Sequence, residues 1–272
     1  MSKNRIKNFT DKKFKKVFFY FDGKKLSGFE GESLASALIA NDIKVVGRSF
    51  KYHRPRGIMA LGSEEPNALV RIIKENNAEP NLQATQVEIY NGLIAESQNR
   101  WPSLKFDFGS ILSVFSRLLP TGFYYKTFMW PGSMWKTYEY FIRRLSGLGK
   151  VSNIHKDPDN YEHINFHTDL LIVGAGPTGL VASLLAAQTG LKILLVDENS
   201  DLGGSLLYED DIKINSYNGK DWAEKTAQSL MKMKNVTVLN RSTAFGYHDH
   251  NYITIVQKYI DYSRTDFLKF PR

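Results

Sequence analysis

The stretch "DLLIVGAGPTGLVASLLAAQTGLKILLVDE", Asp169 to Glu198, constrains this chain more than any other. An apolar run leads into three glycines at G-x-G-x-x-G spacing, a segment rich in Ala, Ser and Leu follows, and a second apolar run ends in two acids. The pattern predicts strand, tight turn, helix and strand, one βαβ unit. Each glycine then has its own reason. Gly174 allows the turn, Gly176 lets backbone approach a pyrophosphate, and Gly179 lets the helix pack against the strand. Ala175, Pro177 and Thr178 complete the loop, whose N–H groups and helix dipole would meet the phosphates. Asp197 follows about 20 residues on, where a carboxylate accepts hydrogen bonds from ribose hydroxyls and repels a 2′-phosphate. This favours NAD, or the adenosine half of FAD, over NADP, with Glu198 competing for the same role. Gly203 and Gly204 in "DLGGSL" would let a further loop lie close to the cofactor.

Leu170 to Leu191 contains no charge, so a membrane span has to be weighed. Three glycines and Pro177 near one end, and the full parse into strand, turn and helix, argue for the βαβ unit instead. Further on, "KDWAEKTAQSLMKMK" reads as a helix, "VTVL" as a third parallel strand, and "AFGYHDHNYITIVQKYI" as an antiparallel excursion. A complete fold of this kind would return to the parallel sheet. Residues 168–272 therefore read as a Rossmann-type FAD/NAD(P)-binding domain, truncated at its C-terminus.

The first part of the chain has a different texture. "KVFFYFDGKKL" predicts two strands around an Asp22-Gly23 turn. "GESLASALIAND" places Leu34, Ala35, Leu38 and Ile39 at helical spacing, and "NALVRII" supplies another strand. Residues 16–80 thus read as a small α+β module behind a basic leader, 1–15. Residues 81–167 read as a connector: 13 of the chain's 35 aromatic residues fall between Trp101 and Phe141, and prolines and glycines break the stretch into short helices and turns. Such a segment would wrap over a domain face or a partner subunit. Its aromatics form no single amphipathic stripe, so a membrane surface is not the favoured partner.

Charge and residue types exclude more than they assign. Residues 1–80 hold 16 Lys/Arg against 9 Asp/Glu, so they carry most of the net charge of +8. The chain has no cysteine, which removes disulfides, thiolate zinc sites and cysteine-ligated clusters. The N-terminus lacks the apolar core of a secretory signal, and cytoplasmic residence is expected. His163 and His167 have helical spacing and His248 and His250 strand spacing, but neither pair has the third ligand a metal site needs. No nucleophile elbow or paired carboxylates stand out, so no catalytic residue and no metal ligand is named.

Three stretches together, "GRSFKYHRPRGIMALGSEEPNALV", "SQNRWPSLKFDFGSILS…LLPTGFYYKTFMWP" and the glycine-loop segment through "DLGGSL", resemble the α subunit of heterotetrameric sarcosine oxidase. The α subunits of opine and proline dehydrogenases are near relatives. The resemblance implies a ferredoxin-like first module and a dinucleotide domain that binds NAD. It implies β, γ and δ subunits, with FAD and FMN in the full complex, and oxidative demethylation of sarcosine to glycine. On this reading the isolated chain is an oxidoreductase subunit acting on CH-NH donors, inactive alone; the alternatives are a truncated, non-catalytic interaction subunit or the α subunit of a related amine, opine or proline dehydrogenase. Family α subunits continue into a folate domain that is not among these residues. In iron–sulfur ferredoxins of this fold a loop after the helix carries the cysteines; here "GRSFKYHRPRG" has none, so no iron–sulfur cluster is expected. Arg48, Arg54 and Arg56 would hold that loop by hydrogen bonds and ion pairs instead. Stacking of RNA on Phe50 and Tyr52 is the lesser alternative, and no nucleic-acid partner is expected.

Overall fold

The computed structural model describes residues 4–5, 15–74, 77–118, 122, 128, 130–145, 147, 149, 161–209 and 211–258. They fall into two compact units that divide between Asn160 and Tyr161. Most of the basic leader lies outside the described residues. Arg5 is an exception, its guanidinium forming a two-pronged pair with Glu32.

The first unit grows from the hairpin β1 (Lys16–Phe21) and β2 (Lys24–Phe29). Alternation decides its faces: Val17, Phe19 and Phe21 point inward, while Lys16, Phe18 and Tyr20 stay exposed. Asp22 and Gly23 both take positive φ, 49° and 76°, as a two-residue turn with the right twist demands. Helix α1 (Leu34–Ala40) starts on Ser33, whose Oγ accepts the Ser36 N–H at 3.2 Å. It buries Leu34, Ala35, Ala37, Leu38 and Ala40. Ile39 does not join them and is 47% exposed, because a helix of about two turns turns only one face to the sheet.

A two-residue ladder of β3 (Gly47–Arg48) and β4 (Pro55–Arg56) follows. After it come β5 (Leu69–Lys74), β6 (Asn77–Gln83) and β7 (Ile94–Ser97). The sheet runs β2-β1-β7-β5-β6, with β7 parallel to β1 and antiparallel to β5. Its middle strand lies past residue 80, where the sequence pattern ends the module; "IAES" is too short and too polar to announce a central strand. Beyond it, 3-10 turns cover Phe108–Ser113, Ser116–Leu118 and Gly132–Met134, and helix α2 spans Trp135–Leu145. Short elements were expected here, and several of the aromatic side chains stand exposed, Trp101 by 67% and Trp130 by 82%.

The basic loop is held by one arginine rather than three. The Arg48 guanidinium donates to the carbonyls of His53, at 2.9 Å, and Leu104, and lies 3.8 Å from the buried Asp107 carboxylate. Asp107 also meets His53 Nδ1 at 2.7 Å and accepts the Trp101 N–H at 2.8 Å. Arg54 and Arg56 are exposed, and the Arg54 guanidinium sits 4.8 Å from the Tyr52 ring centroid. Anchoring by Arg54 and Arg56 is therefore corrected: both are exposed on either side of Pro55, and of the three only Arg48 reaches the interior.

Glu65, which no motif singled out, organises the next loop. It is 1% exposed. Its two oxygens accept N–H groups from Met59 (2.6 Å), Ala60 (2.7 Å), Asn67 (2.7 Å) and Ala68 (3.0 Å). Burial pushes its pKa up, but these four donors outweigh burial and hold it below the usual glutamate range.

The second unit is built on a three-stranded parallel sheet, ordered Val236–Leu239, Ile193–Val196, Leu170–Val173. Strand β8 (Leu170–Val173) leads through the glycine loop into α3 (Pro177–Ala187), then β9 (Ile193–Val196), buried at all four positions. A small ladder, β10 (Lys213–Ile214) with β11 (Tyr217–Asn218), precedes α4 (Gly219–Lys232) and β12 (Val236–Leu239). The antiparallel pair β13 (Ser242–His248) and β14 (Tyr252–Gln257) completes the unit. The chain thus combines a ferredoxin-like domain with an incomplete Rossmann-type domain. Among the described residues no helix is long and apolar enough to cross a membrane.

Candidate functional site

The glycine loop sits where β8 hands over to α3, at the carboxyl end of the parallel sheet, the crevice where such sheets take ligands. Gly174 has φ +98°, a conformation closed to most side chains, and donates its N–H to Val196 O at 2.7 Å. Gly179 is needed for a different reason. A Cβ there would stand 1.8 Å from Gly174 O, so the first turn of α3 packs directly on the loop backbone. Gly176 is different again: nothing lies within 4 Å of where its Cβ would be. That empty space, at a helix start with Pro177 in its first turn, is what a pyrophosphate would need. The first hydrogen bond of the helix runs from Leu180 N to Gly176 O at 2.9 Å. Among the described residues the N–H groups of Thr178 and Gly179 carry no partner, as expected of a helix start.

The other residues of the loop look inward. Ala175 is fully buried, donates its N–H to Asp197 Oδ2 at 2.6 Å, and accepts the Gly203 N–H at 2.9 Å. Gly203 and Gly204, with φ of +140° and +55°, fold a second loop onto the first. A Cβ on Gly204 would come within 3.0 Å of Gly176 Cα, so glycine is required by close approach as well as by φ. Asp197 is itself 8% exposed. Its Oδ1 accepts from Asn199 N at 2.8 Å and Asn199 Nδ2 at 3.2 Å. Glu198 beside it is half-buried and has no hydrogen bond or ion pair among the described residues.

The loop, the two glycines after β9 and both acids are thus brought to one end of the sheet, and the residues present fit an adenine dinucleotide. The histidine pairs are not assembled. Residues 161–168 form no helix, so His163 and His167 lose the spacing that would align them. His248 ends β13, while His250 lies in the following 3-10 turn with φ 60°. Among the described residues no group of three His, Asp or Glu could hold a metal ion.

Comparison with known proteins agrees with this geometry. Residues 172–241 match the model of the NAD(P)-binding Rossmann-like domain. The α subunit of sarcosine oxidase from Rhizobium meliloti (strain 1021) is 54% identical over 241 residues, which are 88% of this chain and 24% of that protein. Over most of its length the chain is similar to the N-terminal portion of sarcosine oxidase α subunits. The same subunit from Corynebacterium sp. (strain U-96) is 32% identical over 87% of this chain and 20% of its own length. The chain thus spans about a quarter or less of the curated α subunits it matches. In fold, the L-proline dehydrogenase of P. horikoshii superposes with a TM-score of 0.55 at 22% identity, covering 91% of this chain and 38% of that one.

One expectation is overturned. Residues 15–100 match the model of a 2Fe-2S iron-sulfur cluster binding domain, so the first module is akin to a cluster-binding family, contrary to the expectation of no cluster. The donor set of this chain does not fit thiolate ligation, since it has no cysteine.

Proposed function

We propose that this chain is the N-terminal portion of the α subunit of an amine-oxidising flavoprotein complex, a sarcosine oxidase, and that its second domain binds an adenine dinucleotide on the Gly174–Gly179 loop. The observation that carries the reading is the 54% identity across nearly the whole chain, glycine loop included. When bound, a dinucleotide of this kind supplies electron or hydride transfer. The chain's own part is to hold it. The free N–H groups of Thr178 and Gly179 and the α3 dipole would meet the pyrophosphate, the space over Gly176 would admit it, and Gly203 and Gly204 would close from the other side. The basic leader, the module around β1 to β7 and the aromatic stretch after it would serve assembly with the complex's β, γ and δ subunits. The exposed rings of Trp101, Phe106 and Phe108, with the Phe108 centroid 5.3 Å from that of Trp101 and 4.9 Å from that of Phe106, support an interface there.

Co-expression with the β subunit encoded in the same organism tests the assembly half, and titration of the full chain with NAD, NADP and FAD tests the binding half. A stable complex and saturable binding are expected. A folded chain that forms no complex and binds none of the three would refute the proposal.

A further inference from the structure

Trp101, Phe106 and Phe108 stand exposed on a loop that buried groups hold still. From that loop and the charge around it we infer what the rings meet: a protein surface of another subunit, with an apolar cleft rimmed by aspartate and glutamate. The inference rests on the assembly reading above and deepens it by naming the chemistry of the partner's surface.

The loop is built before any partner arrives. Phe108 N–H donates to Trp101 O at 2.7 Å and Ser103 N–H to Phe106 O at 3.1 Å, which closes residues 101–108 into a tight turn. Beneath it the buried Asp107 carboxylate takes the Trp101 N–H on one oxygen and meets His53 Nδ1 with the other. Arg48 Nε donates to Leu104 O at 3.2 Å and Asn99 Nδ2 to Ser49 O at 2.6 Å, so the ring-bearing turn is fastened to the basic loop at 45–57. Rings on a fixed backbone lose little freedom on docking, which is the property of an interface anchor. Ile111, Val114 and Phe115 are exposed as well and carry the apolar surface further along the chain.

Charge selects the partner. Residues 45–57 and 99–117 hold seven Lys/Arg and a single acid, Asp107, which is already buried and engaged. Arg54, Arg56 and Lys105 are exposed and form no ion pair among the described residues. A second copy of this chain would bring the same cations and no free carboxylate to a two-fold contact, and like charges face to face oppose binding. Nucleic acid stacks on open ring faces along a groove, whereas these rings pack on one another at 57° and 76° and form a knob. An acidic surface with a cleft suits both parts: the rings fill the cleft and the cations meet its rim.

The test uses the full chain co-expressed with the β, γ and δ subunits encoded in the same organism. Hydrogen exchange on the free chain and on the complex, with zero-length carbodiimide cross-linking, locates the contact. Dissociation constants for Trp101→Ala with Phe106→Ala, and for Arg54→Glu with Arg56→Glu, weigh its two halves, and Lys24→Glu with Lys25→Glu on the β1–β2 hairpin is a control of equal charge. In the complex the amides of 101–115 are expected to exchange about tenfold more slowly or better, and Lys105 to cross-link to an Asp or Glu of another subunit. The ring pair should weaken assembly about a hundredfold. The charge reversal should weaken it about tenfold at low salt and far less at about 1 M salt, where charges are screened within about 3 Å. The control should assemble like the parent, and the ring and charge variants should unfold at the parent's temperature. A complex in which 101–115 exchange as in the free chain, or a ring variant that assembles like the parent, overturns the inference and leaves the assembly reading standing. A folded parent that forms no complex overturns both. Three further results, without protection of 101–115 in the complex, would also overturn it by naming another occupant: a parent dimer lost in the ring variant, or ring-dependent binding to single-stranded RNA or to phosphatidylcholine–phosphatidylserine vesicles.

Discussion

Substituting alanine for the three loop glycines, one at a time, should separate what the fold needs from what a ligand needs. In Gly179→Ala the new methyl would stand 1.8 Å from Gly174 O and 2.9 Å from Gly174 C, backbone atoms that no side-chain rotation can move aside. Overpacking of this kind costs about 1–3 kcal/mol or more. For a domain of this size about 1 kcal/mol lowers the unfolding temperature by roughly 4–8 °C, so a drop of about 10–20 °C is expected in the second domain's transition. Gly174→Ala meets no atom within 4 Å, but its φ of +98° is strained for alanine, and the expected cost is about 1–2 kcal/mol. Gly176→Ala has neither problem, since its Cβ would enter empty space and its φ is not positive. It should unfold like the parent. Its methyl would nevertheless occupy the place left for a pyrophosphate, so dinucleotide binding should fall by at least tenfold while stability holds. Differential scanning calorimetry and titration of the same preparations give both readings. Gly179→Ala as stable as the parent, or Gly176→Ala binding as tightly as the parent, would refute the reasoning.

Other consequences lie in the first domain. Glu65→Ala should cost about 3 kcal/mol, because it strands several backbone donors, of which the Ala68 N–H is fully buried; urea unfolding at neutral pH checks this, and a change below about 0.5 kcal/mol would contradict the role given to Glu65. Since the folded-state pKa of Glu65 lies below its ordinary value, its stabilisation is present above the unfolded pKa and is lost as pH falls through the folded one. The gap between wild type and Glu65→Gln should therefore narrow on acidification below about pH 4, and a gap that widens there would have the wrong sign. Arg48→Met should destabilise by about 2–4 kcal/mol by leaving Asp107 short of a cation and the Leu104 carbonyl unsatisfied, whereas Arg54→Ala and Arg56→Ala should stay within about 0.5 kcal/mol. Chemical denaturation ranks the three, and equal losses would mean that the loop is anchored in some other way.

What could be read ahead of the structure follows from the range of the forces involved. The Asp22-Gly23 hairpin and the unit β8-α3-β9 are built by local chemistry, positive φ in one and glycine spacing in the other, and both stand where the residues put them. Helix α4, strand β12 and the β13–β14 pair follow from periodicity in the same way. The misses are long-range. Strand β7 carries only four residues of sheet pattern and earns its central place from partners more than 20 residues away, on β1 and β5. Arg48 and Asp107 are 59 residues apart, so nothing local marks Arg48 as inward and Arg54 as outward. Glu65 sits in "SEEP", where two adjacent acids look alike; Glu64 is exposed and Glu65 buried, and only the tertiary arrangement of four N–H groups tells them apart. Asp197 and Glu198 pose the same problem at the site itself. Spacing finds the pair, and only the structure shows that Asp197 is bonded to the Ala175 and Asn199 N–H groups.

The central claim is that the second domain holds an adenine dinucleotide on its glycine loop. Its most direct test is isothermal titration of the full chain with NAD and FAD, run beside Gly176→Ala at equal foldedness by calorimetry. One saturable site in the parent, lost or weakened at least tenfold in Gly176→Ala, is the predicted result. No heat of binding from either nucleotide in a folded parent, or equal binding by both proteins, would contradict it.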